Sequence, residues 1–449
     1  MTNPANSAAL HEPGVVPSSG YAWYVVACLF LAYVVSFLDR QILSLLIEPI
    51  KADLQISDTI ISLLHGFTFA IFYTLFGIPL GRLADSHNRK AIIIGSISLW
   101  SLMTMLCGFA KNAPMLFAAR VGVAVGEAGL SPSAYSIISD YFPREKRGRA
   151  ISVYSLGIFV GAGMAYIFGG LVAEFAMRAV DQAYPIIGQF KAWQLTFVLT
   201  GLPGVFIVML MLTVREPGRS ERYSARQGSV PFKEVFAYFS QHRKLYGALL
   251  IGNGFIAMAN YSLFAWLPAF FIRVYDYTPR TIGVTFGLML LSVGTSGLLT
   301  GAYIADNLFR RGSSGSHMDT MIVMTALAIF PAAGLFMYFD VELALICVAI
   351  TVFFTSASTG LVPASFQLAT PNELRGQVTA LYLFLTSAIG LSIGPTAVAL
   401  ITDQYYGDPL AVGKSLSITL CSSIVIGVLL FLVGRRAYAR RIAEMAELR

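Results

Sequence analysis

A chain of 449 residues with 56% hydrophobic and only 12% charged residues, and a mean hydropathy of +0.69, departs far from the quarter-charged composition of a soluble protein. It is too apolar for a water-soluble enzyme or binding module, so lipid is the solvent in which it folds. The formal charge of +7 would suit a nucleic-acid surface only if it were clustered, and its distribution along the chain shows that it is not.

The first 20 residues are rich in Ala, Pro, Ser and Gly and hold no Lys or Arg. They lack the basic start of a signal peptide and read as a disordered cytoplasmic tail. A membrane-crossing helix needs roughly 20 mainly apolar residues. Twelve such stretches follow, at 21–47, 58–80, 90–110, 114–140, 148–175, 193–213, 245–274, 281–304, 318–339, 341–367, 376–402 and 411–434. Strand-length alternation is absent and backbone groups in hydrocarbon must be satisfied within the segment, so the fold is an all-α polytopic bundle. Residues 21–213 form one six-helix half and 245–434 the other. Between them 214–244 is a basic linker, with an amphipathic helix expected around Phe232–Phe239, and 435–449 is a basic tail.

The 31 Lys and Arg divide as 22 in the loops on the side of both termini, 7 on the opposite side and 2 inside spans. That asymmetry obeys the positive-inside rule and places both termini in the cytoplasm of a cell-membrane protein, the inner membrane in a bacterium. Cys28, Cys107, Cys347 and Cys421 all fall inside spans, so they read as apolar residues and not as a disulfide or metal framework.

Two charged signatures each occur twice. Gly81-Arg82-Leu83-Ala84-Asp85, followed by Arg89-Lys90, returns as Ala302 to Asp306 followed by Arg310-Arg311, an offset of 221. Pro143-Arg144-Glu145-Lys146-Arg147-Gly148 returns as Pro371-Asn372-Glu373-Leu374-Arg375-Gly376, an offset of 228. Repetition at half length marks two fused homologous halves, the build of many secondary transporters. Bases in such loops serve topology, but acids do little for it. Asp85 and Asp306 stand at the same place in both halves, which points to a contact made in one conformation and broken in another.

The run Gly81-x-Leu83-Ala84-Asp85-x-x-x-Arg89-Lys90 resembles the loop motif of the major facilitator superfamily, with Ser86 and Asn88 departing from it. The resemblance covers nearly the whole chain. It implies twelve helices in two halves related by pseudo-two-fold symmetry, and a cytoplasmic gate of Asp85, Arg89, Asp140, Arg147, Asp306, Arg310 and Arg375. In it Asp85, Arg89 and Asp140 would hold the outward-open state.

Ionisable groups inside spans are costly and mark function. They are Asp39 and Arg40 in the first span, His65 in the second, and Arg120 and Glu127 in the fourth. Arg120 and Glu127 are two helical turns apart, about 10 Å along one face. Gly122 and Gly126 let a neighbouring helix approach that segment. Asp39, Glu127 and His65 are the candidate proton carriers, although a lone His on an apolar helix is more often merely hydrogen-bonded.

Arg40 and Arg120 are candidate contacts for an anion. The second half carries no such charges. Its seventh span has Asn260 and Tyr261, and its tenth has Thr355 and Ser356, Thr355 matching Glu127 at the 228 offset. One wall would thus be charged and the other aromatic and hydroxylated, suiting an amphipathic substrate. Gly157, Gly161, Gly163, Gly169 and Gly170 in the fifth span and Gly390, Gly394 and Pro395 in the eleventh mark close packing. Met164 stands where the superfamily's antiporter motif has Pro, so antiport is not inferred.

Ser36-Phe37-Leu38-Asp39-Arg40-Gln41 and Arg120-Val121-Gly122 to Glu127-Ala128, running on to Asp140-Tyr141-Phe142-Pro143, resemble the Spinster branch. That resemblance implies proton-coupled export of lysolipid or sphingolipid-like anions, with Asp39, Arg40, Arg120 and Glu127 as the functional cluster. A symporter of small organic acids such as sugar acids is the alternative within transport, and a non-transporting membrane sensor the alternative outside it. No catalytic constellation, nucleotide site or cofactor motif occurs. The expected partners are membrane lipids, protons and the substrate, for a monomer without nucleic acid or metal.

Overall fold

The protein is described here by a computed structural model covering residues 19–181, 190–218, 238–338, 340–371 and 374–447. Twelve helices are long and apolar enough to span a membrane. Spans one to six are Ser19–Leu45, Asp58–Ser86, Arg89–Cys107, Ala113–Tyr141, Lys146–Val180 and Ala192–Thr213. Spans seven to twelve are Arg243–Tyr275, Pro279–Arg310, Ser316–Met337, Val341–Ala369, Gln377–Tyr406 and Pro409–Met445. No strand occurs among the described residues. The tail to residue 18, linker residues 219–237 with most of the expected amphipathic helix, and Asn372 and Glu373 lie outside them.

Several helices outrun the stretches that hydropathy marks. Span two continues to Ser86 and span eight to Arg310, so both copies of the first signature lie mostly on helix ends, not in turns. The basic tail from residue 435 continues the last helix to Glu447. Past the hydrocarbon a helix keeps satisfying its own backbone, so polar residues extend it until a cap stops it. Caps supply the starts. The side chains of Ser57, Asn88, Asn112, Thr278 and Asp340 accept from backbone N–H groups in the first turns of spans two, three, four, eight and ten.

Each half has its own apolar core, and a third cluster joins the halves. Glycines decide where helices touch. A Cβ on Gly126 would lie 2.6 Å from the Trp100 backbone nitrogen, and Gly122 meets Met103, so the small-residue face of span four seats span three. Span five uses two glycine faces. Gly157, Gly161 and Gly169 pack on Tyr33, Phe37 and Ile42 of span one, while Gly163 and Gly170 face Gly287 and Pro279 of span eight across the junction of the halves.

The halves meet on the face opposite the termini. There Gly66, in a π-helical stretch Leu63–Phe67 of span two, lies against the Leu391 carbonyl in a π-helical stretch Thr386–Ile393 of span eleven. On the termini side, Asp85 and Asp306 at the ends of spans two and eight are exposed. Among the described residues, the ion pairs that join the two halves lie on the far face.

Candidate functional site

Span one carries a run from Ser36 to Leu46 that is buried throughout, including Asp39, Arg40 and Gln41. Opposite it, span four is interrupted at Ala128–Gly129 immediately after Glu127, with Gly129 seated on the Ser96 hydroxyl. These two segments bring the four in-span charges together. Arg40 donates from Nε (3.2 Å) and Nη2 (2.5 Å) to the same Glu127 oxygen, Oε2. Glu127 Oε1 is buried with no partner among the described residues.

Arg120 is placed differently from a cavity residue. It is fully buried, and donates from Nη1 to the Asp39 carbonyl (2.9 Å) and from Nη2 to the Arg40 carbonyl (3.4 Å). A guanidinium on two span-one carbonyls ties spans one and four together at the level of the site, whereas the sequence reading gave it to an anionic ligand. Asp39 is fully buried as well. Neither carboxylate oxygen makes a well-formed hydrogen bond among the described residues, although the Thr104 hydroxyl, the Trp100 indole and the Arg120 guanidinium surround it. Trp100 Nε1 and Thr104 Oγ1 are themselves buried, with no well-formed hydrogen bond among the described residues. An acid held this way inside a span is costly to the fold and marks a functional position.

His65 lies within electrostatic reach of both guanidiniums, on the π-helical stretch of span two, and its Nδ1 is unpartnered among the described residues. Of the four second-half candidates, Tyr261 is the one that neighbours Arg40. Asn260 donates to Thr359 (3.2 Å), Thr355 is buried and donates weakly to the Val352 carbonyl (3.4 Å), and Ser356 faces Gly294 of span eight.

The aromatic wall is not confined to the second half. Tyr33, Tyr73, Tyr135 and Tyr154 of spans one, two, four and five converge with Tyr261 and Tyr382 of spans seven and eleven. Tyr154 is buried and the others are half-buried between the halves. Tyr33 stacks on Tyr154 (4.8 Å), whose hydroxyl meets Ser131 (3.1 Å), and Tyr135 abuts it edge-on. In the sequence these tyrosines look like packing; their one signal is that a phenol in an apolar helix needs a polar neighbour.

At the termini side, Arg89 is a buried hub inside the first half. It pairs with Asp140, donates to Ser136 Oγ (3.0 Å) and the Pro217 carbonyl (3.0 Å), and pairs with Glu216 (2.7 Å). Glu216 also accepts from the Lys90 backbone N–H (2.8 Å), capping span three. Glu216 was not among the sequence candidates. Arg147 donates to the Ser139 carbonyl (2.8 Å) and Arg375 to the Thr370 carbonyl (3.1 Å). Asp306 faces His317 (3.5 Å), and Arg310 is exposed. Among the described residues, no ion pair or hydrogen bond joins Asp85 to another side chain.

The far face holds a cluster that sequence reasoning missed. Arg273 at the end of span seven forms a two-pronged pair with Asp58 at the start of span two (2.7 and 2.7 Å) and pairs with Glu48 (2.7 Å) on the helix Ile47–Leu54. Lys51 also pairs with Asp58, which is fully buried. Asp403 of span eleven accepts from Thr59 N and Oγ1 (2.7 Å each), and Arg280 pairs with Glu174 (2.9 Å). Each of these joints except Lys51–Asp58 crosses between the halves.

Twelve helices in two halves around a buried acid–arginine site are the build of a membrane transporter. The Major Facilitator Superfamily model matches residues 29–395, and the chain belongs to that superfamily, as a Spinster-like member. An MFS-type efflux pump of Mycolicibacterium smegmatis is 30% identical over 95% of both chains. Protein spinster homolog 1 of Homo sapiens is 29% identical over 69% of this chain and 59% of its own. The solved structure of a bacterial homologue of the human lysosomal transporter Spinster, inward-facing and unoccupied, is similar with a TM-score of 0.77, 26% identity, and 96% of this chain and 99% of that one covered.

Proposed function

We propose that the protein is a proton-coupled transporter of an amphipathic anionic substrate, lysolipid-like in build, in a cell membrane with both termini in the cytoplasm. The observation that carries this is Arg40. It is held by one oxygen of Glu127 beside Tyr73 and Tyr261 from opposite halves, while a second acid, Asp39, lies buried and without a well-formed partner among the described residues one residue away.

Burial opposes the charged form of a carboxyl and a neighbouring Arg favours it. A substrate anion that takes Arg40 removes the partner of Glu127, which then binds a proton. Loss of that proton lets Glu127 reclaim Arg40 and releases the anion. Asp39 and His65 are the further groups through which the proton would pass, and Arg120 sets the geometry by holding span one. The phenols supply donors for a head group and ring faces for the apolar portion. The name of the mycobacterial relative supports outward movement, and the inward-facing bacterial homologue supports reading the termini side as cytoplasmic.

Proteoliposomes loaded with radiolabelled 1-palmitoyl-lysophosphatidic acid, or with D-glucuronate, test this under an imposed pH gradient. The reading expects gradient-driven movement of the lysolipid, lost in Glu127→Gln and in Asp39→Asn. Full proton-coupled transport by either variant overturns the coupling. Movement of glucuronate alone replaces the substrate class with small organic acids.

A further inference from the structure

The guanidinium of Arg40 is enclosed by more than Glu127. Its carbon sits 4.4 Å from the ring centre of Phe69, 5.0 Å from Phe37 and 5.4 Å from Tyr73, within the range of cation–π attraction. Phe69 and Tyr73, one helical turn apart on span two, are stacked on each other (5.5 Å, 19°). Phe69 is fully buried, so its ring is fixed by packing and does not depend on the ion pair.

We propose that Phe69 and Tyr73, with Phe37, are positioning residues that keep Arg40 at its post whether or not Glu127 carries a charge. The inference rests on the coupling reading above. An arginine held by a carboxylate alone would leave when that carboxylate is protonated, and the anion would find no fixed cation. Ring faces are indifferent to the proton, so the cage holds the guanidinium through the half of the cycle in which Glu127 is neutral. Both Arg40 donors also share Oε2, leaving Oε1 free of any described partner, so a proton can arrive without first displacing Arg40.

The charged and titratable groups around the pair are Tyr33 and Asp39 of span one, His65 and Tyr73 of span two, Arg120 of span four and Tyr261 of span seven. None is altered by changing Phe69. A Phe69→Leu change loosens Arg40 and weakens its opposition to the Glu127 proton, so protonation becomes easier and occurs at higher pH.

The test uses the full chain in lipid nanodiscs, its four cysteines replaced and spin labels at Ser86→Cys and Thr379→Cys, exposed positions on opposite halves at the termini side. The distance between labels is followed against pH. The unaltered site is expected to give one pH-dependent transition. Phe69→Leu should raise its midpoint by about one pH unit, a tenfold easier protonation. Tyr73→Leu should raise it less, because its ring is farther away, and Phe69→Tyr should restore the original midpoint because the ring remains.

If Phe69→Leu and Tyr73→Leu leave the midpoint in place while Glu127→Gln flattens the transition, the cage is wrong and the coupling stands. If Glu127→Gln keeps the original midpoint, or no transition exists, the coupling reading fails and the cage falls with it. A Phe69→Leu protein that does not fold leaves Tyr73→Leu and Phe69→Tyr to decide.

Discussion

The two faces of the molecule use ion pairs in opposite ways. On the far face Arg273, Asp58 and Glu48 join one half to the other, and Thr59–Asp403 and Arg280–Glu174 extend the seam. On the termini face the dense cluster of Arg89, Asp140 and Glu216 joins, among the described residues, only spans of the first half and the start of the linker, and its neighbour in the motif, Asp85, is exposed. The lesson is that the sum of salt bridges does not set the conformation. What matters is which of them cross the seam, because a pair within one half moves with that half and is indifferent to its rotation.

Breaking a seam pair should therefore have the largest conformational effect. Arg273→Gln leaves Asp58 fully buried with Lys51 as its remaining cation. Removing one partner of a buried pair costs about 3–5 kcal/mol, and retention of Lys51 brings the expectation to roughly 2–3 kcal/mol, which is about a hundredfold in population. All of it falls on the far face. Labels placed across that face should separate, and cysteines beneath it should become reactive from outside. Unchanged distances would show that the glycine-lined contact of spans five and eight closes the face without help.

Breaking the hub should do the reverse, with a large loss of stability and little change of state. Arg89→Ala removes the cation that Asp140 and Glu216 share and loosens the start of the linker, a loss on the order of 3 kcal/mol, read as a lower melting temperature in detergent. Glu216→Gln keeps a hydrogen-bonding side chain at the cap of span three and should cost about 1 kcal/mol. In both variants the far-face distances should match the parent. A shift there would mean that the hub communicates across the seam after all, and the contrast between the faces would collapse.

How much of this was legible in the sequence follows the same division. All twelve spans could be read, because crossing hydrocarbon imposes a length and a composition. The charges inside them could be read too, because an ion in that medium is expensive enough to stand out. Arg273 and Asp58 could not. They sit at span ends, where charged residues are ordinary, and they are 215 residues apart, so no local pattern pairs them. The contacts of Arg120 could not be read for a related reason, because the backbone carbonyls that it reaches leave no trace in a sequence. The tyrosines and Phe69 were hidden by abundance, since 13% of the chain is aromatic and most rings in spans only pack.

The smallest expected effect is the most discriminating. Asp85 is the acid of the duplicated motif, yet in this conformation it is exposed and joined to no described side chain. If its contact belongs to the opposite state, Asp85→Asn should leave the melting temperature of the protein unchanged and still slow transport, because only the state that closes the termini face loses a partner. A ligand can shift an equilibrium only by its differential affinity for the two states, and a side chain obeys the same rule. The double variant Arg273→Gln with Asp85→Asn makes the point sharpest: weakening both faces should bring the label distances back toward the parent. Distances equal to those of Arg273→Gln alone would show that the far-face-open state owes nothing to Asp85, and that the duplicated acid is a relic of the repeat rather than a latch.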